Sequence, residues 1–260
     1  MPTYALLGAT GGTGSAILRY LLEVPLPNLK LKILVRSKSK LLKTFPDLEK
    51  TSPFGVEVFE GTPDDNASLQ NCLEGAQVVF MCIATNESKP TTTICYDVTA
   101  AIITALEALR AKSGSAFTRP TILQLRSANL NKIATEGYAF IGAAVRFCLY
   151  YVYSDLEKGC VLLEGKTKED PSLLEYVFVD PPGLHDANGT KRTGHELLVD
   201  KAGEQNLMYG DLGAGFCEIA ERRDEYKGKA VMVSATGEVD LTMGVLVGFV
   251  GTGLKSRIWG

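Results

Sequence analysis

The sequence of 260 residues is poor in the features that mark metal-binding and nucleic-acid-binding proteins. It has two histidines, and its six cysteines include no Cys-x-x-Cys pair, so we expect no metal site. The thiols are expected to be reduced and mostly buried, as in a cytoplasmic protein. The formal net charge of −3 gives no electrostatic reason to expect nucleic acid or an anionic membrane as a partner.

Long hydrophobic runs are missing as well. Of two apolar stretches, residues 137–153 contain Arg146 and residues 241–254 contain four glycines. Both are shorter than the roughly 20 apolar residues that a membrane-spanning helix needs. The segment Met1-Pro2-Thr3 lacks the basic residues of a targeting signal, so we expect a cytoplasmic location and no membrane partner.

What the sequence does contain is a glycine cluster near its start. The apolar run Tyr4-Ala5-Leu6-Leu7 leads into a glycine-rich turn, and the apolar residues that follow are spaced for one face of a helix. Strand, tight turn and helix in this order are typical of a dinucleotide-binding loop, where a bare backbone approaches a pyrophosphate at the positive end of the helix. The residues predicted to bind the cofactor here are Gly8, Thr10, Gly11, Gly12, Thr13 and Gly14.

Beyond this loop, strand-like and helix-like segments alternate. Strands are predicted at residues 31–35, 56–60, 78–83, 121–125, 174–179 and 230–234, with helices near residues 67–73, 93–111 and within 137–163. This alternation predicts an α/β fold with a doubly wound parallel sheet of Rossmann type, in a single domain over residues 1–260. Residues 185–210, of which 187–208 look least regular, are expected to form the substrate side. Asp211 is expected to cap the next helix, and residues 241–259 to pack on the sheet edge or a second subunit.

The end of the second predicted strand indicates which dinucleotide is bound. In such folds an acidic residue at this position binds a free ribose hydroxyl, whereas an arginine accommodates a 2′-phosphate. Arg36 follows the strand directly, so NADP(H) is the expected cofactor, with Lys40 as a second contact. Asp64 and Asp65 follow the third strand, and we interpret them as helix-capping residues rather than adenine contacts.

Two further strand ends deliver polar residues to the same edge of the sheet, where open α/β sheets bind ligands. Ala84, Thr85 and Asn86 follow the fourth predicted strand, and Ala84 and Thr85 are expected to contact the cofactor. Arg126, Ser127, Ala128 and Asn129 follow the fifth.

Longer motifs make the chain resemble a known family. They are the glycine loop, Val35-Arg36-Ser37-Lys38-Ser39-Lys40, Ser154-Asp155-Leu156-Glu157-Lys158, Tyr176-Val177-Phe178-Val179-Asp180-Pro181-Pro182-Gly183-Leu184, Tyr209-Gly210-Asp211-Leu212-Gly213 and Val233-Ser234-Ala235-Thr236-Gly237. Together they resemble the short-chain dehydrogenases/reductases, within them the atypical NmrA-like branch in its single-domain fungal secondary-metabolism form, related to averufin-oxidase-type proteins. The resemblance implies that Lys158 holds the nicotinamide ribose, that Pro182 and Gly183 back the nicotinamide, and that the substrate is a polycyclic, polyketide-derived ketone or quinone. Phe140 and Phe147 would then lie near its pocket.

The usual proton donor of this family is missing at its expected position. The typical tyrosine stands four residues before the lysine, where this chain has Ser154. On a regular helix Tyr151 lies about 10 Å from Lys158 along the axis, and Tyr150 also lies further from Lys158 than Ser154 does. Tyr153 points about 100° away from Ser154. The catalytic candidates are Lys158, Ser127, Ser154 and Tyr151. The candidate substrate contacts are Asn86, Asn129, Tyr150 and His185.

Three hypotheses on function follow. The first is an NADPH-dependent reductase of a small aromatic molecule, in which the proton comes from water, from a phenol of the substrate or from Lys158. The second is a dinucleotide-binding regulator or scaffold without catalysis. The third is a non-redox enzyme that cyclises, dehydrates or isomerises its substrate. A monomer or a homodimer is expected.

Overall fold

The structure, a computed structural model, describes residues 1–85, 87–134, 136 and 139–240, excluding the side chains of residues 139–141. Asn86 and residues 241–260, for which a substrate contact and edge packing were expected, lie outside the described residues, as does the side chain of Phe140. The strands are β1 (Thr3–Leu7), β2 (Lys30–Val35), β3 (Gly55–Glu60), β4 (Val78–Met81), β5 (Thr121–Leu125), β6 (Glu175–Asp180), β7 (Gly183–His185), β8 (His195–Leu198), β9 (Asn206–Met208) and β10 (Ala230–Ala235). The helices are α1 (Gly12–Glu23), α2 (Lys38–Thr44), α3 (Asn66–Leu73), α4 (Ile94–Ser113), α5 (Ala139–Cys148), α6 (Tyr150–Glu169), α7 (Tyr209–Glu221) and α8 (Arg223–Tyr226).

The main sheet has the strand order β3-β2-β1-β4-β5-β6-β10-β8, and only β8 runs antiparallel to its neighbour. β1 lies between β2 and β4, with Leu6 paired to Ile33 on one side and to Phe80 on the other. The order of the strands reverses between β1 and β4, which opens a crevice at their carboxyl ends. The predicted doubly wound Rossmann-type fold is confirmed.

Helices cover both faces of this sheet because its central strands are apolar on both sides. Along β1, Tyr4 and Leu6 face one buried cluster, and Ala5 and Leu7 face the other. The first cluster includes the inner faces of α1 and α7, and the second includes those of α4 and α6. The sheet is thereby held rigidly at the edge where the candidate residues meet.

Several local predictions are confirmed. The side chain of Asp65 accepts hydrogen bonds from the amides of Ala67 and Ser68 and caps α3. All six cysteines are free and buried. As a separate observation, the described residues contain no helix that is long and apolar enough to cross a membrane.

Other local predictions need correction. The helical region of residues 137–163 is two helices, α5 and α6, because Leu149 between them departs from helical backbone angles with a φ of −101° and a ψ of 30°. The stretch expected to be least regular contains β8, which pairs with β10, and β9, which pairs with β7. Asp211 lies inside the first turn of α7 and is not its N-cap, which is Met208. Its carboxylate instead accepts hydrogen bonds from the amides of Thr193 and Gly194.

Candidate active site

The glycine loop between β1 and α1 turns sharply at Gly8. This residue has a φ of +95°, a conformation that residues with a Cβ rarely adopt, and a Cβ there would lie 2.8 Å from the carbonyl oxygen of Cys82. A Cβ on Gly14 would overlap the carbonyl oxygen of Gly8. Glycine at both positions therefore lets α1 pack directly on the end of β1, and it leaves a backbone that a phosphate group can approach closely.

The amino end of α1 is open to an anion. Gly11 is its N-cap, no side chain caps the helix, and its first turn carries no acidic residue. The free amides and the positive end of the helix dipole therefore face the loop. Thr10 and Gly11 are exposed and Thr13 is buried. The ring of Tyr209, which the sequence analysis did not single out, packs against Gly12, where a Cβ would lie 2.7 Å from the ring.

A cavity of about 830 Å³ lies beside this loop at the carboxyl edge of the sheet. We call it the edge cavity. It is bounded by the glycine loop, the end of β2, residues 61–64 after β3, residues 82–85 after β4 and the first turns of α4. The cavity is lined by seven of the residues that the sequence analysis assigned to the cofactor, Gly8, Thr10, Gly11, Arg36, Lys40, Ala84 and Thr85.

Arg36 and Lys40 form the basic end of the edge cavity. Both side chains are exposed, and Arg36 follows the last residue of β2. Ser37 caps α2 by accepting a hydrogen bond from the amide of Lys40, and this bond holds the short basic loop in place. The carboxylate of Glu60, at the end of β3, accepts a hydrogen bond from the amide of Lys38 at 3.2 Å.

A second group of polar side chains meets at the ends of β5 and α6. The hydroxyl groups of Ser127 and Tyr153 share a hydrogen bond of 3.2 Å, and the side-chain amide of Asn129 donates to the Tyr153 hydroxyl at 3.0 Å. We call these three residues the hydroxyl cluster. Tyr153 is 8% exposed, so its ring is buried while its oxygen reaches the sheet edge. A phenol, an alcohol and an amide N–H at hydrogen-bonding distance can bind a carbonyl oxygen and deliver a proton to it.

The structure places several of the predicted catalytic residues apart from this cluster. Lys158 is exposed, because it lies five positions after Tyr153 and therefore about 140° round the helix. Ser154 is half-buried, and the hydrogen bond that joins Ser127 to α6 goes to Tyr153. The rings of Tyr150 and Tyr151 pack edge to face at 5.3 Å. These contacts favour Tyr153 over Ser154 as the residue in the tyrosine position, whereas the spacing from Lys158 favours Ser154.

A signal in the sequence could have identified Tyr153. The buried positions of α6 include Tyr153, Leu156, Cys160 and Leu163, which are three, four and three residues apart. This spacing is typical of the inward face of a helix. Lys158 does not belong to this series, so the hydrophobic pattern was a better guide to the orientation of α6 than the assumed role of the lysine.

A buried ion pair lies next to the hydroxyl cluster, at the ends of β5 and β6. Arg126 Nε donates to Asp180 Oδ1 at 2.6 Å across the ends of β5 and β6, and Asn131 donates to the other carboxylate oxygen. Burial raises the pKa of Asp180, and its bonds to Arg126 and Asn131 counter part of that rise. The guanidinium also lies 4.8 Å from the ring of Phe178. The pair therefore holds the loop that carries Ser127, a role that the sequence analysis missed.

The turn after β6 lies against the same loop. The amide of Ala128 donates to the carbonyl of Pro181 at 2.9 Å, which places the half-buried Pro182 and the exposed Gly183 next to the Ser127 segment. His185 shares a hydrogen bond of 2.9 Å with Asn206 across β7 and β9. In the part of the chain that the structure describes, no cluster of His, Cys, Asp or Glu is arranged to hold a metal ion.

Comparisons of the sequence with known proteins point in one direction. Residues 8–206 match a family model described as NAD(P)H-binding. The chain is 49% identical to averufin oxidase A of Dothistroma septosporum over 263 residues, which is 99% of this chain and 92% of that protein. It is 46% identical to averufin oxidase A of Aspergillus flavus over 259 residues, which is 99% of this chain and 91% of that protein.

A solved structure shares the fold. A short-chain dehydrogenase/reductase from Veillonella parvula, determined in complex with NADP, is similar with a TM-score of 0.63 at 19% identity. The similarity covers 91% of this chain and 95% of that one.

Proposed function

This chain belongs to the NAD(P)H-binding family, as an atypical short-chain dehydrogenase/reductase of fungal secondary metabolism, and from that premise we propose that it is an NADPH-dependent reductase. The family membership makes it an oxidoreductase with a nicotinamide cofactor. The proposal adds the phosphate preference, the direction of the reaction, the class of substrate and the source of the proton.

The observation that carries the proposal is that Arg36 and Lys40 line the same cavity as the glycine loop. The residues fit a dinucleotide. A Cβ on Gly8 or Gly14 would collide with neighbouring backbone, and Gly11 is the exposed N-cap of α1. These three glycines supply a bare backbone for a pyrophosphate at the open end of the helix. Arg36 and Lys40 stand where a 2′-phosphate would need cations.

The hydroxyl cluster supplies the acid chemistry. When bound, the reduced nicotinamide supplies a hydride for the carbonyl carbon of the substrate. Tyr153 gives its hydroxyl proton to the carbonyl oxygen, so that hydride and proton together form the alcohol, and water then reprotonates Tyr153. Ser127 and Asn129 can both donate to the tyrosine oxygen, and they thereby stabilise the negative charge left on it.

We assign Lys158 no catalytic step, because its side chain is exposed on α6. Ala84, Thr85, Pro182 and Gly183 remain proposed contacts of the nicotinamide half. The substrate is proposed to be a polycyclic, polyketide-derived ketone or quinone, since two relatives of nearly half-identical sequence are named averufin oxidases. Averufin is therefore the first compound to assay, with NADP+ as well as NADPH because hydride transfer is reversible.

The decisive experiment is a fluorescence titration with NADPH and NADH of the wild type, Arg36→Ala and Lys38→Ala. Charge-assisted hydrogen bonds contribute about 1.5 to 3 kcal/mol, so Arg36→Ala should weaken NADPH binding about 10- to 100-fold and leave NADH binding nearly unchanged. Lys38→Ala removes the same charge from the same loop, but its side chain pairs with Glu49 at 2.8 Å and does not line the cavity. An unchanged preference in Arg36→Ala would contradict the assigned phosphate site.

The alternatives give different results in the same preparation. Tight NADPH binding without turnover of any carbonyl compound would indicate a regulator or scaffold. Turnover of the true substrate in the absence of dinucleotide would indicate a non-redox enzyme.

A further inference from the structure

The amino end of α4 is capped by a residue from another helix. Thr93, its N-cap residue, makes no capping hydrogen bond, and its hydroxyl donates instead to Asp97. The first free amides of the helix donate to Asp155 of α6, from Cys95 to Oδ2 at 2.8 Å and from Tyr96 to Oδ1 at 3.0 Å. One carboxylate thus does for α4 what a local Ser or Asp does for most helices.

This carboxylate is buried. Asp155 is 3% exposed, and both of its oxygens accept backbone N–H groups. The positive end of the α4 dipole lies directly against the charge, which lets a carboxylate remain in the protein interior. Removal of either oxygen would leave a buried amide without its acceptor, which is costly.

The two helices that Asp155 joins carry different parts of the site. The first turns of α4 form a wall of the edge cavity through Thr93, Ile94, Asp97, Val98 and Ala101. Tyr153 of the hydroxyl cluster lies two residues before Asp155 on α6. Asp155 therefore belongs to α6, which bears the proposed acid Tyr153, and its carboxylate contacts α4, which lines the edge cavity.

The contact between the helices is close enough to transmit a small displacement. One turn after Asp155, a Cβ on Gly159 would lie 2.9 Å from Cys95 Sγ and 3.3 Å from Thr99 Oγ1, so only small side chains of α4 separate the two helices at this point. Packed helices shift as units because protein interiors are dense. A change of about 1 Å at Asp155 would consequently move the cavity wall relative to Tyr153.

We propose that Asp155 is a positioning residue that sets the distance between the cofactor-side wall and the hydroxyl cluster. The proposal rests on the proposed function, since it takes the edge cavity as the NADPH site and Tyr153 as the acid. It assigns Asp155 no contact with cofactor or substrate. Its role is exerted through the amides of Cys95 and Tyr96.

The test compares Asp155→Asn with Asp211→Asn. The control is closely matched, because Asp211 is 1% exposed and also accepts two backbone amides, at 2.8 and 3.0 Å, but away from the edge cavity. Both variants should lower the melting temperature. Only Asp155→Asn should raise the Kd for NADPH, by about 3- to 10-fold, and lower kcat, since only part of the free energy of the lost charge-assisted hydrogen bond is transmitted through α4 to the cofactor side.

A second readout needs no cofactor. Hydrogen exchange of the free protein should become faster in residues 93–101 of Asp155→Asn, and also in residues 126–131, which Asp155 does not touch. A purely structural cap would loosen only the first segment. Unchanged exchange in residues 126–131 together with an unchanged Kd would overturn the proposal, whereas failure of the wild type to bind NADPH would overturn the proposed function and leave the exchange result to decide on Asp155.

Gly159→Ala gives an independent variant if Asp155→Asn does not fold. Its Cβ meets the end of the Cys95 side chain, which can yield, so the protein should fold. Thr99 Oγ1 at 3.3 Å and the Cys95 backbone carbon at 3.4 Å lie behind this thiol, so the helices should be pushed slightly apart. The same pair of changes, weaker NADPH binding and faster exchange in residues 126–131, is expected. Their absence from this variant would also overturn the proposal.

Discussion

At the residue scale, Tyr153 differs from the other tyrosines near the start of α6 in what its hydroxyl touches. Tyr150 is 47% exposed, and its ring packs on that of Tyr151. The hydroxyl of Tyr153 shares a hydrogen bond with that of Ser127 and accepts one from the side-chain amide of Asn129. The contacts, rather than the distance to a lysine along the chain, identify the proposed acid.

This distinction predicts opposite results for two conservative variants. Tyr153→Phe keeps the buried ring and removes the proton donor, so kcat should fall about 100-fold or more, because general acid catalysis typically contributes that much. Its Kd for NADPH should not change. Tyr151→Phe should keep kcat within a few-fold of the wild type. Steady-state rates with the reduced substrate or its ketone measure both, and a reversed order would restore Tyr151 as the catalytic candidate.

Residues that local backbone positions were found from the sequence, whereas residues whose position depends on packing were missed. Gly8 and Arg36 are positioned by a turn and by a strand end, which neighbouring residues determine. The position of Tyr153 depends on which face of α6 packs on the sheet, and Asp155 acts on amides 60 residues away in the chain. The count from Lys158 assumed an orientation that the packing of α6 does not have.

At the scale of elements, Lys32 ties a central strand to a helix. It is 6% exposed on β2, and its ammonium group donates to the carbonyl oxygens of Asn71 and Glu74 at the carboxyl end of α3, at 2.9 and 2.7 Å. A cation at this end of a helix is favourable because it faces the negative pole of the dipole. Burial lowers the pKa of Lys32, but the two carbonyls give it partners.

We expect Lys32→Met to lower the free energy of unfolding by about 1 to 2 kcal/mol, the usual effect of losing hydrogen bonds to a charged group. Lys30→Met provides the comparison, because Lys30 lies on the same strand and pairs only at the surface with Glu57. Such surface pairs contribute no more than about 1 kcal/mol. Urea unfolding of both variants measures the difference, and equal losses would argue against the capping role of Lys32.

The elements themselves were predictable in proportion to how regular their patterns are. The continuous apolar run of β4 and the alternation of apolar and polar residues in β3 predict strands, and the structure has both. The break at Leu149 was not predictable, because the sequence on both sides is apolar and no proline or glycine marks the end of α5. Short strands such as β8 depend on a partner, β10, that lies more than 30 residues away.

At the scale of the whole molecule, six thiols lie in the interior. Each cysteine is at most 7% exposed, and burial raises the pKa of Cys72 and Cys160 to about 12. Thiols with such pKa values are almost entirely protonated at pH 8 and are poor nucleophiles. The fold thus protects all six thiols by exclusion of reagents, and it protects Cys72 and Cys160 also by suppression of the thiolate.

Iodoacetamide at pH 8 should therefore leave the native protein unmodified, while six adducts should appear by mass spectrometry after unfolding in guanidinium chloride. Labelling of the native protein should follow its rare opening, and saturating NADPH should slow it further, because a ligand of the native state reduces the open population. Rapid native labelling at any one cysteine would show that this site is more accessible than the structure indicates.

Along the chain, the residues that line the edge cavity come before those of the hydroxyl cluster. Every described residue that lines the cavity lies between positions 8 and 101, and the first four strands form one contiguous half of the sheet, β3-β2-β1-β4. Ser127 and Tyr153 come later, after β5 and on α6. Since synthesis proceeds from the amino end and early segments can fold first, the walls of the edge cavity can form on the ribosome before Ser127 and Tyr153 have been made.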